Sequence, residues 1–545
     1  MRLRLKKHSL WMLITALAAV TAVGALAGTG FASGSKSAAK DTLIVLADDV
    51  APALDLDGAN AADPGLQEIL LNTMSPLLNY PNKKQGAVLV PQYKVSTQQF
   101  QPQLATSWSK SGLTWTFKLR KGVKSRLGNE MTSADIIWAW QRTFATNRLG
   151  GLLSRIQNLD RADQVTAPDK YTIQLNLTAR SSLPEAIATL VYLPVYDTVE
   201  VKKHVTADDP WASSWLANNA AGYGPYYIAL FQPGQQIVLK ANPNYYLGVP
   251  KIKLVVYRQV PDASTRAALV KRGDVDIALN LSPDQLNDLK KDSNVKVSEF
   301  RGNGQIALLT QFNHPILKKA KVRQALAYAT PYAQILNDVY KGYAEPSKSY
   351  MPPIYLGYTD KWWPYKTDYA KAKQLLQEAG VTTPINLTLT YAPLQPTDEQ
   401  VVVALKSAYA NIGVNVEIKV ITPALNGATL AGRNFELMFY RLISHVTDPL
   451  YTLQVFNGQG KLAATNWVNY KSRIVDQKFD EGATVIKFPA RLAYASDIQR
   501  AMVSDPPHVV MGTTKWVVAH RKNISGIAWM PQESLWFSEI TKSKS

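Results

Sequence analysis

The residues with which this chain could carry out chemistry are its histidines, its paired acids and its serines. The six histidines lie far apart, without the i, i+4 spacing of a helical metal pair and without an H-E-x-x-H motif. They are His8, His204, His314, His445, His508 and His520. The chain also lacks the G-x-S-x-G turn of a nucleophilic serine and a Walker-type phosphate loop. Acid pairs such as Asp274 and Asp276 are equally expected on a solvated turn. The sequence therefore predicts a protein that is not an enzyme and that has no metal site and no cofactor.

The composition favours binding over catalysis. The chain has no cysteine, which excludes disulfides, a thiol nucleophile and thiolate-bound metals. It has 13 Trp, 26 Tyr and 13 Phe, and most of these rings will fill the core. A cleft lined by the remaining rings and a few polar groups is the expected pocket for a small organic ligand.

Residues 1–27 have the pattern of an export signal. Four basic residues within the first seven precede an apolar run, Leu10–Ala27, which ends in an A-x-A cleavage pattern. Residues 28–40, rich in Gly, Ser and Lys, are predicted to be a flexible lead. The alternative is an uncleaved anchor, because a run of this length is close to the length that spans a bilayer. We expect an exported protein in the periplasm, the cell envelope or the extracellular space, and not a lipoprotein, since a lipid-modified cysteine is impossible.

The net charge is strongly positive. The 60 Lys and Arg outnumber the 41 Asp and Glu, giving +19, and +15 once residues 1–27, with four basic residues and no acid, are removed. The basic residues are dispersed, and pairs such as Lys83-Lys84 are isolated. We therefore expect no nucleic-acid partner. The charge indicates either attraction to anionic envelope surfaces or acidic ligands, or simply a solvated basic surface.

Clean alternation of apolar and polar residues predicts three strands with one buried face, over Leu113–Arg120, Tyr171–Thr178 and Val414–Val420. The side chains predicted to face inward are Leu113, Trp115, Phe117, Leu119, Tyr171, Ile173, Leu175, Leu177, Val414, Val416, Ile418 and Val420.

Helical patterns alternate with these strands along the chain. Thr132 and Asp135 have the spacing of a capping box at a helix start. Further helices are predicted over Asp368–Ala379, ended by Gly380, and over Lys321–Thr330. Interleaved strands and helices over some 500 residues predict an α/β architecture with more than one lobe.

Several motifs, in one consistent order along the chain, resemble a known family. They are LATSW (104–108), LTWTFKLRKGV (113–123), TSAD (132–135), GYGPY (222–226), GDVDI (273–277), VRQAL (322–326), AKAKQLLQEAG (370–380) and the Asp448-Pro449 pair. Together they resemble the bacterial extracellular solute-binding proteins of family 5, the oligopeptide-, dipeptide- and nickel-binding components of ABC importers. The similarity spans about residues 42–535.

This resemblance implies a two-lobed α/β fold of the periplasmic-binding-protein type, class II, in the large three-domain variety, with a hinge between the lobes. Residues 41–80, 219–304 and 513–545 would form domain I of the first lobe, and residues 81–218 its inserted domain II. Residues 305–512 would form domain III, the second lobe.

The resemblance also implies where a ligand would bind, and this sequence departs from the family there. In peptide-binding members an aspartate three residues before the Asp-Pro pair holds the α-ammonium of the peptide, and here that position is His445. A neutral imidazole cannot replace this carboxylate. Either Asp448 takes over the role, or the ligand has no free N-terminus held in the usual way. The structural alternatives are a histidine hydrogen-bonded in a loop for His445 and an aspartate at the start of a helix for Asp448.

Four further residues complete the candidate site. Arg441 could bind a ligand carboxylate through a bidentate pair, or could form a structural ion pair. Tyr223, where the family usually has a smaller residue, and Gly224 could line the cleft or form a tight turn at a domain crossing. Asn60 is a candidate from the usual contact region of the family.

The expected function is that of an extracytoplasmic substrate-binding protein of an ABC importer, which captures peptides or peptide-like molecules and delivers them to a membrane permease. We expect a monomer that closes around its ligand. The alternative is an envelope-associated binding or scaffold protein of the same fold, with a sugar, a metal chelate or an anionic polymer as its ligand.

Overall fold

The computed structural model describes residues 40–55, 57, 64–80, 82–85, 88–91 and 100–544. The predicted signal peptide, the flexible lead up to residue 39 and Asn60 lie outside the described residues. Within the described part of the chain, no helix combines the length and the apolar character needed to cross a membrane.

Strands occur along the whole described chain. They are β1 (Thr42–Ala47), β2 (Leu78–Asn79), β3 (Asn82–Gln85), β4 (Val88–Pro91), β5 (Gln101–Pro102), β6 (Ala105–Ser111), β7 (Thr114–Leu119), β8 (Val165–Asp169), β9 (Thr172–Asn176), β10 (Tyr226–Gln232), β11 (Gln236–Ala241), β12 (Leu254–Gln259), β13 (Ile277–Ala278), β14 (Val295–Thr310), β15 (Ala344–Glu345), β16 (Ile385–Tyr391), β17 (Val414–Val420), β18 (Leu437–Leu442), β19 (His508–Arg521), β20 (Ile524–Ser525), β21 (Ile527–Ala528) and β22 (Thr541–Lys542).

Helices are interleaved with the strands. The α-helices are Pro64–Thr73, Ser133–Thr146, Leu149–Ile156, Pro184–Ile187, Thr198–Val201, Ser213–Leu216, Ala263–Arg272, Pro283–Leu289, Ala320–Ala329, Tyr369–Glu378, Asp398–Ala410, Pro423–Gly432, Pro449–Gln454, Arg473–Ala483 and Phe488–Ser504. Short 3₁₀-helices cover Ala162–Gln164, Lys202–His204, Gly460–Leu462 and Phe537–Glu539, and a π-helix covers Gln334–Val339.

The largest sheet in the described residues has eleven strands and runs through both predicted lobes, in the order β10-β11-β12-β1-β13-β19-β14-β18-β16-β17, with β15 paired to β19. Its two long central strands, β14 and β19, are antiparallel, and they pair from Val295 opposite Arg521 to Leu309 opposite His508. On either side the sheet contains parallel pairs: β1 with β12 and β13, and β16 with β17 and β18. β14 and β19 are thus the strands that connect the two halves of the sheet.

A separate four-stranded antiparallel sheet, β6-β7-β9-β8, covers the helix Ser133–Thr146 in the predicted inserted domain. The alternation predicts its buried face well, since Trp115, Phe117, Ile173 and Leu175 are all buried. Leu113 is an error of the prediction, because it precedes the strand and its side chain is 39% exposed.

The other strand and helix predictions are confirmed, with differences at their ends. β17 buries Val414 and Val416, but Val420, predicted to face inward, is 59% exposed because the edge strand ends there. The capping box is present: the backbone N–H of Thr132 donates to Asp135 Oδ2 at 2.7 Å, and the Thr132 hydroxyl accepts from the Ala134 N–H. The predicted helices over residues 368–379 and 321–330 also form, within one residue of their predicted ends.

The buried apolar side chains form several separate clusters, as expected for a protein with more than one lobe. One cluster lies under the four-stranded sheet, and another surrounds the second half of the large sheet, from Ile306 to Met511. A third and larger cluster includes residues of both predicted lobes, such as Tyr192 and Leu450. The predicted domain boundaries at residues 80, 218, 304 and 512 stay a proposal.

Candidate functional site

The loop that follows β18 brings the two predicted lobes into contact. The Thr447 hydroxyl donates a hydrogen bond to the Tyr80 hydroxyl at 3.0 Å, and the His445 ring lies 5.8 Å from the Tyr192 ring, centroid to centroid. His445 Nδ1 is 3.3 Å from the carbonyl oxygen of Pro531. We call this region the interlobe junction, and it comprises Tyr80, Tyr192, Asn303, His445, Thr447, Pro531 and Gln532.

His445 is a neutral group in this junction. Burial lowers the pKa of its imidazole to about 4, and the contact with the Pro531 carbonyl only partly offsets this. Because a carbonyl oxygen can only accept, we assign the single ring proton to Nδ1, which donates to it. Nε2 then carries a lone pair, and it has no hydrogen-bond partner among the described residues. The site thus offers an uncharged hydrogen-bond acceptor at position 445.

Asp448 has a different environment. Its Oδ1 accepts the backbone N–H groups of Leu450 and Tyr451, both at 3.0 Å, and so caps the helix Pro449–Gln454. The Arg491 guanidinium binds the same carboxylate in a bidentate pair, with Nε–Oδ2 at 2.9 Å and Nη2–Oδ1 at 2.5 Å. Both residues are buried, at 2% and 3% exposed. The structure therefore favours the structural alternative, since the charge of Asp448 is already compensated.

A hydroxyl from the first lobe also approaches Asp448. Ser182 Oγ lies 3.5 Å from Asp448 Oδ2, which is a long hydrogen bond. With these contacts both oxygens of the carboxylate are occupied. A ligand ammonium would have to displace Arg491 to bind there.

Arg441 lies on β18, opposite Ile306 of β14, and its side chain is half-buried. Among the described residues it has no salt bridge, but its charge opposes the raised pKa of two carboxyl groups, those of the buried Asp398 and the half-buried Glu533. For both acids the larger effect is burial, which raises the pKa of Asp398 to about 6. The predicted contact between Arg441 and a ligand carboxylate stays a prediction.

Tyr223 and Gly224 are both buried in this structure. Tyr223 is fully buried in the apolar cluster of the inserted domain. The Gly224 N–H donates to the Thr73 carbonyl at 3.1 Å, and a Cβ on Gly224 would lie only 2.3 Å from the Thr73 carbonyl carbon. The segment is therefore the tight crossing that was the alternative to a ligand contact. Glycine is needed there for close backbone packing, and the predicted ligand contacts of Tyr223 and Gly224 stay a prediction.

Several residues of the junction were not predicted from the sequence. Asn303 is completely buried, and its Nδ2 donates to the carbonyl oxygens of Ser444 at 3.0 Å and Pro531 at 2.8 Å. It lies between two glycines in β14, and Gly302 passes so close to β19 that a Cβ would be 2.3 Å from the Thr514 carbonyl oxygen. The only sequence signal was Gly-Asn-Gly inside a strand pattern, which indicates a close backbone approach.

Comparison with known proteins places this geometry in a family. Residues 99–463 match the family described as bacterial extracellular solute-binding proteins, family 5 Middle. The chain is 25% identical over 450 residues to the probable D,D-dipeptide-binding periplasmic protein DdpA of Escherichia coli K12, covering 81% of this chain and 84% of that protein.

Solved structures share the fold. The periplasmic binding protein AgaA of A. tumefaciens R10, in complex with agropinic acid, superposes with a TM-score of 0.80 at 22% identity, covering 92% of this chain and 99% of that one. DppA of Helicobacter pylori, in complex with the peptide STSA, superposes with a TM-score of 0.79 at 21% identity, covering 92% of this chain and 98% of that one. Because the family match covers well over half of the sequence, the chain belongs to the bacterial extracellular solute-binding proteins of family 5.

Proposed function

We propose that this protein is the extracytoplasmic substrate-binding component of an ABC importer. It captures peptides or peptide-like small molecules between its two lobes and delivers them to a membrane permease, and no bond of the ligand is made or broken. The observation that carries the proposal is the interlobe junction, in which the loop after β18 contacts Tyr80 and Tyr192 of the first lobe.

The lobes move about the two long strands β14 and β19 in this proposal. A further contact between the lobes joins Lys461 of the second lobe to Asp160 at 2.8 Å and Asn158 at 3.0 Å. The Lys461 and Asp160 side chains are 41% and 33% exposed, so the pair stabilises the closed form by only about 0–1 kcal/mol. The closed form can therefore open again, and a ligand that binds it preferentially shifts the population toward it.

A non-peptide small molecule is the second candidate ligand. His445 supports it, because a neutral imidazole stands where peptide-binding members carry the aspartate for the α-ammonium, and Asp448 is held by Arg491. The solved structure of AgaA contains agropinic acid, so the same fold is compatible with such a ligand.

The location and partners follow from the proposed role. The mature protein is exported to the periplasm, the cell envelope or the extracellular space, and it works as a monomer with an ABC permease. It has no lipid anchor on cysteine, since the chain has none. The basic surface, +15 after removal of the signal, favours contact with anionic envelope surfaces.

A ligand panel tests the proposal. The purified mature protein is screened by thermal unfolding against peptides, amino acids, sugars and metal chelates, and each hit is followed by small-angle scattering. A ligand at 100 times its dissociation constant should stabilise the protein by about 2.7 kcal/mol and make it more compact. No shift across the panel, with unchanged scattering, contradicts ligand capture. Mass spectrometry that finds the hit converted to a product contradicts the absence of catalysis.

A further inference from the structure

The interlobe junction contains several hydrogen-bonding atoms without partners. Asn303 Oδ1, Gln532 Oε1 and the Tyr192 hydroxyl are all buried without a hydrogen-bond partner. Their side chains are 0%, 8% and 3% exposed. Buried polar atoms are almost always paired in folded proteins, so three unpaired ones in one region indicate a missing partner.

These atoms belong to one neighbourhood. The Pro531 carbonyl oxygen accepts both from Asn303 Nδ2, at 2.8 Å, and from His445 Nδ1, at 3.3 Å. Gln532 is the next residue in the chain, and the Tyr192 ring contacts the His445 ring. The free Nε2 of His445 therefore adds a fourth unpaired group. Three of the four atoms can only accept a hydrogen bond, and the tyrosine hydroxyl can either donate or accept.

The junction offers acceptors without an uncompensated negative charge. Two carboxylates lie next to it, Asp448 and Glu533. Asp448 is paired with Arg491. Glu533 accepts the backbone N–H of Asn303 at 2.9 Å and has no salt bridge among the described residues, but burial raises its pKa, which favours its uncharged form. An ammonium in the junction would thus be desolvated without a free counter-ion, whereas an uncharged N–H or O–H would satisfy the acceptors at no such cost.

We infer that the junction binds an uncharged end of the ligand that presents N–H or O–H donors, instead of a free α-ammonium. This inference rests on the proposed function, since it takes the junction as the ligand site. It specifies the class of ligand: amides, ureas or hydroxyl compounds, and among peptides those with a blocked N-terminus.

Three forms of one peptide test the inference. Tri-alanine with a free N-terminus carries an ammonium at that end, whereas N-acetyl-tri-alanine has an uncharged N-terminal end. N-carbamoyl-tri-alanine also has an uncharged N-terminal end, in which an NH₂ donor replaces the acetyl methyl. Binding is measured by isothermal titration at pH 7.5. We expect the carbamoyl form to bind about fivefold more tightly than the acetyl form, from one added hydrogen bond. The free form should bind at least tenfold more weakly than either.

Two variants separate charge from hydrogen bonding. In His445→Asp the ranking should reverse, with the free peptide at least tenfold tighter than its acetyl form. Tyr192→Phe removes a hydroxyl that has no hydrogen-bond partner among the described residues, so this variant should fold normally and lose about fivefold in affinity for the carbamoyl form. Tyr171→Phe is the control, because it makes the same substitution outside the junction, at a hydroxyl that donates to Glu130 in the inserted domain. This variant should leave all three affinities unchanged.

The outcomes distinguish the inference from the function on which it rests. If the wild type binds the free peptide as tightly as the blocked forms, or more tightly, the inference is overturned and ligand capture stands. Equal affinity of Tyr192→Phe and wild type for the carbamoyl form also counts against it. If none of the three peptides binds to the wild type or to His445→Asp, peptide capture is overturned and the inference with it.

Discussion

Replacing Asp448 by Ala should destabilise the second lobe strongly, because the substitution leaves a buried cation without its partner. The Arg491 side chain would keep only its contacts from Nη1 to the carbonyl oxygens of Gly482, at 3.3 Å, and Val485, at 2.8 Å. Breaking a buried ion pair from one side costs about 3–5 kcal/mol. Losing the helix cap adds about 1 kcal/mol. We therefore expect a loss of about 4–6 kcal/mol, which is a large part of the stability of a typical domain.

Urea unfolding, followed by circular dichroism and tryptophan fluorescence, measures the loss. Asp448→Asn keeps an oxygen for the helix cap and should be more stable than Asp448→Ala by about 1 kcal/mol. The double variant Asp448→Asn/Arg491→Met removes both charges and should recover most of the loss, because replacing a whole buried pair by apolar groups is often neutral. The reasoning is refuted if Asp448→Ala unfolds at the wild-type urea concentration while ligand binding is lost. Asp448 would then be a ligand residue and not a structural one.

Three further predictions concern other parts of the molecule. Burial raises the pKa of Glu68 to about 8. Between pH 4.5 and 8 the unfolded chain therefore releases a proton that the folded chain keeps, so the free energy of unfolding falls as pH rises. At pH 7 this group has lowered the free energy of unfolding by about 3 kcal/mol relative to low pH. Glu68→Gln should remove this part of the slope in urea midpoints between pH 5 and pH 8; parallel slopes would contradict it. Gly224→Ala should lower the free energy of unfolding by about 3 kcal/mol, because the new Cβ would lie 2.3 Å from the Thr73 backbone. Gly427→Ala is the control and should not destabilise the protein, because no atom lies within 4 Å of its Cβ. Equal urea midpoints for the two variants would argue against the tight crossing. Lys461→Ala should weaken ligand affinity at most fivefold, because the contact with Asp160 is partly exposed, and the loss of affinity should be smaller in high salt. A loss of affinity above tenfold would contradict a weak contact between the lobes.

Much of the fold could be predicted from the sequence because its signals are local. Alternation in β7 and β9 reports which side chains face the core, and the capping box at Thr132 and Asp135 involves residues three positions apart. The errors lie at the ends of elements, as at Leu113, which precedes β7, and at Val420, the last residue of β17. Periodicity carries no information about where an element ends.

The candidate site was harder to predict because its contacts join distant parts of the chain. The family resemblance implies a smaller residue at the position of Tyr223, and the sequence was compatible with a side chain in the cleft or with a tight turn. The structure instead buries it in the inserted domain, and that core includes residues more than 100 positions away, such as Phe117 and Trp115. An aromatic residue between two glycines is compatible with both arrangements. Only the packing of the crossing against Thr73 decides between them.

The charge of the junction shows the same dependence on distant partners, and it has a functional consequence. In the sequence, His445 stands where the resemblance implies an aspartate that binds the α-ammonium. Asp448, three residues later, was the candidate to take over this role. Whether that substitute is available depends on Arg491, which is 43 residues further along and reaches Asp448 from the helix Phe488–Ser504. Since the arginine already occupies both carboxylate oxygens, Asp448 does not supply the carboxylate that the family resemblance implies at position 445. The most economical explanation is that the ligand itself differs from a free peptide at this end, and the unpaired acceptors of Asn303 and Gln532 support that explanation independently of the family comparison.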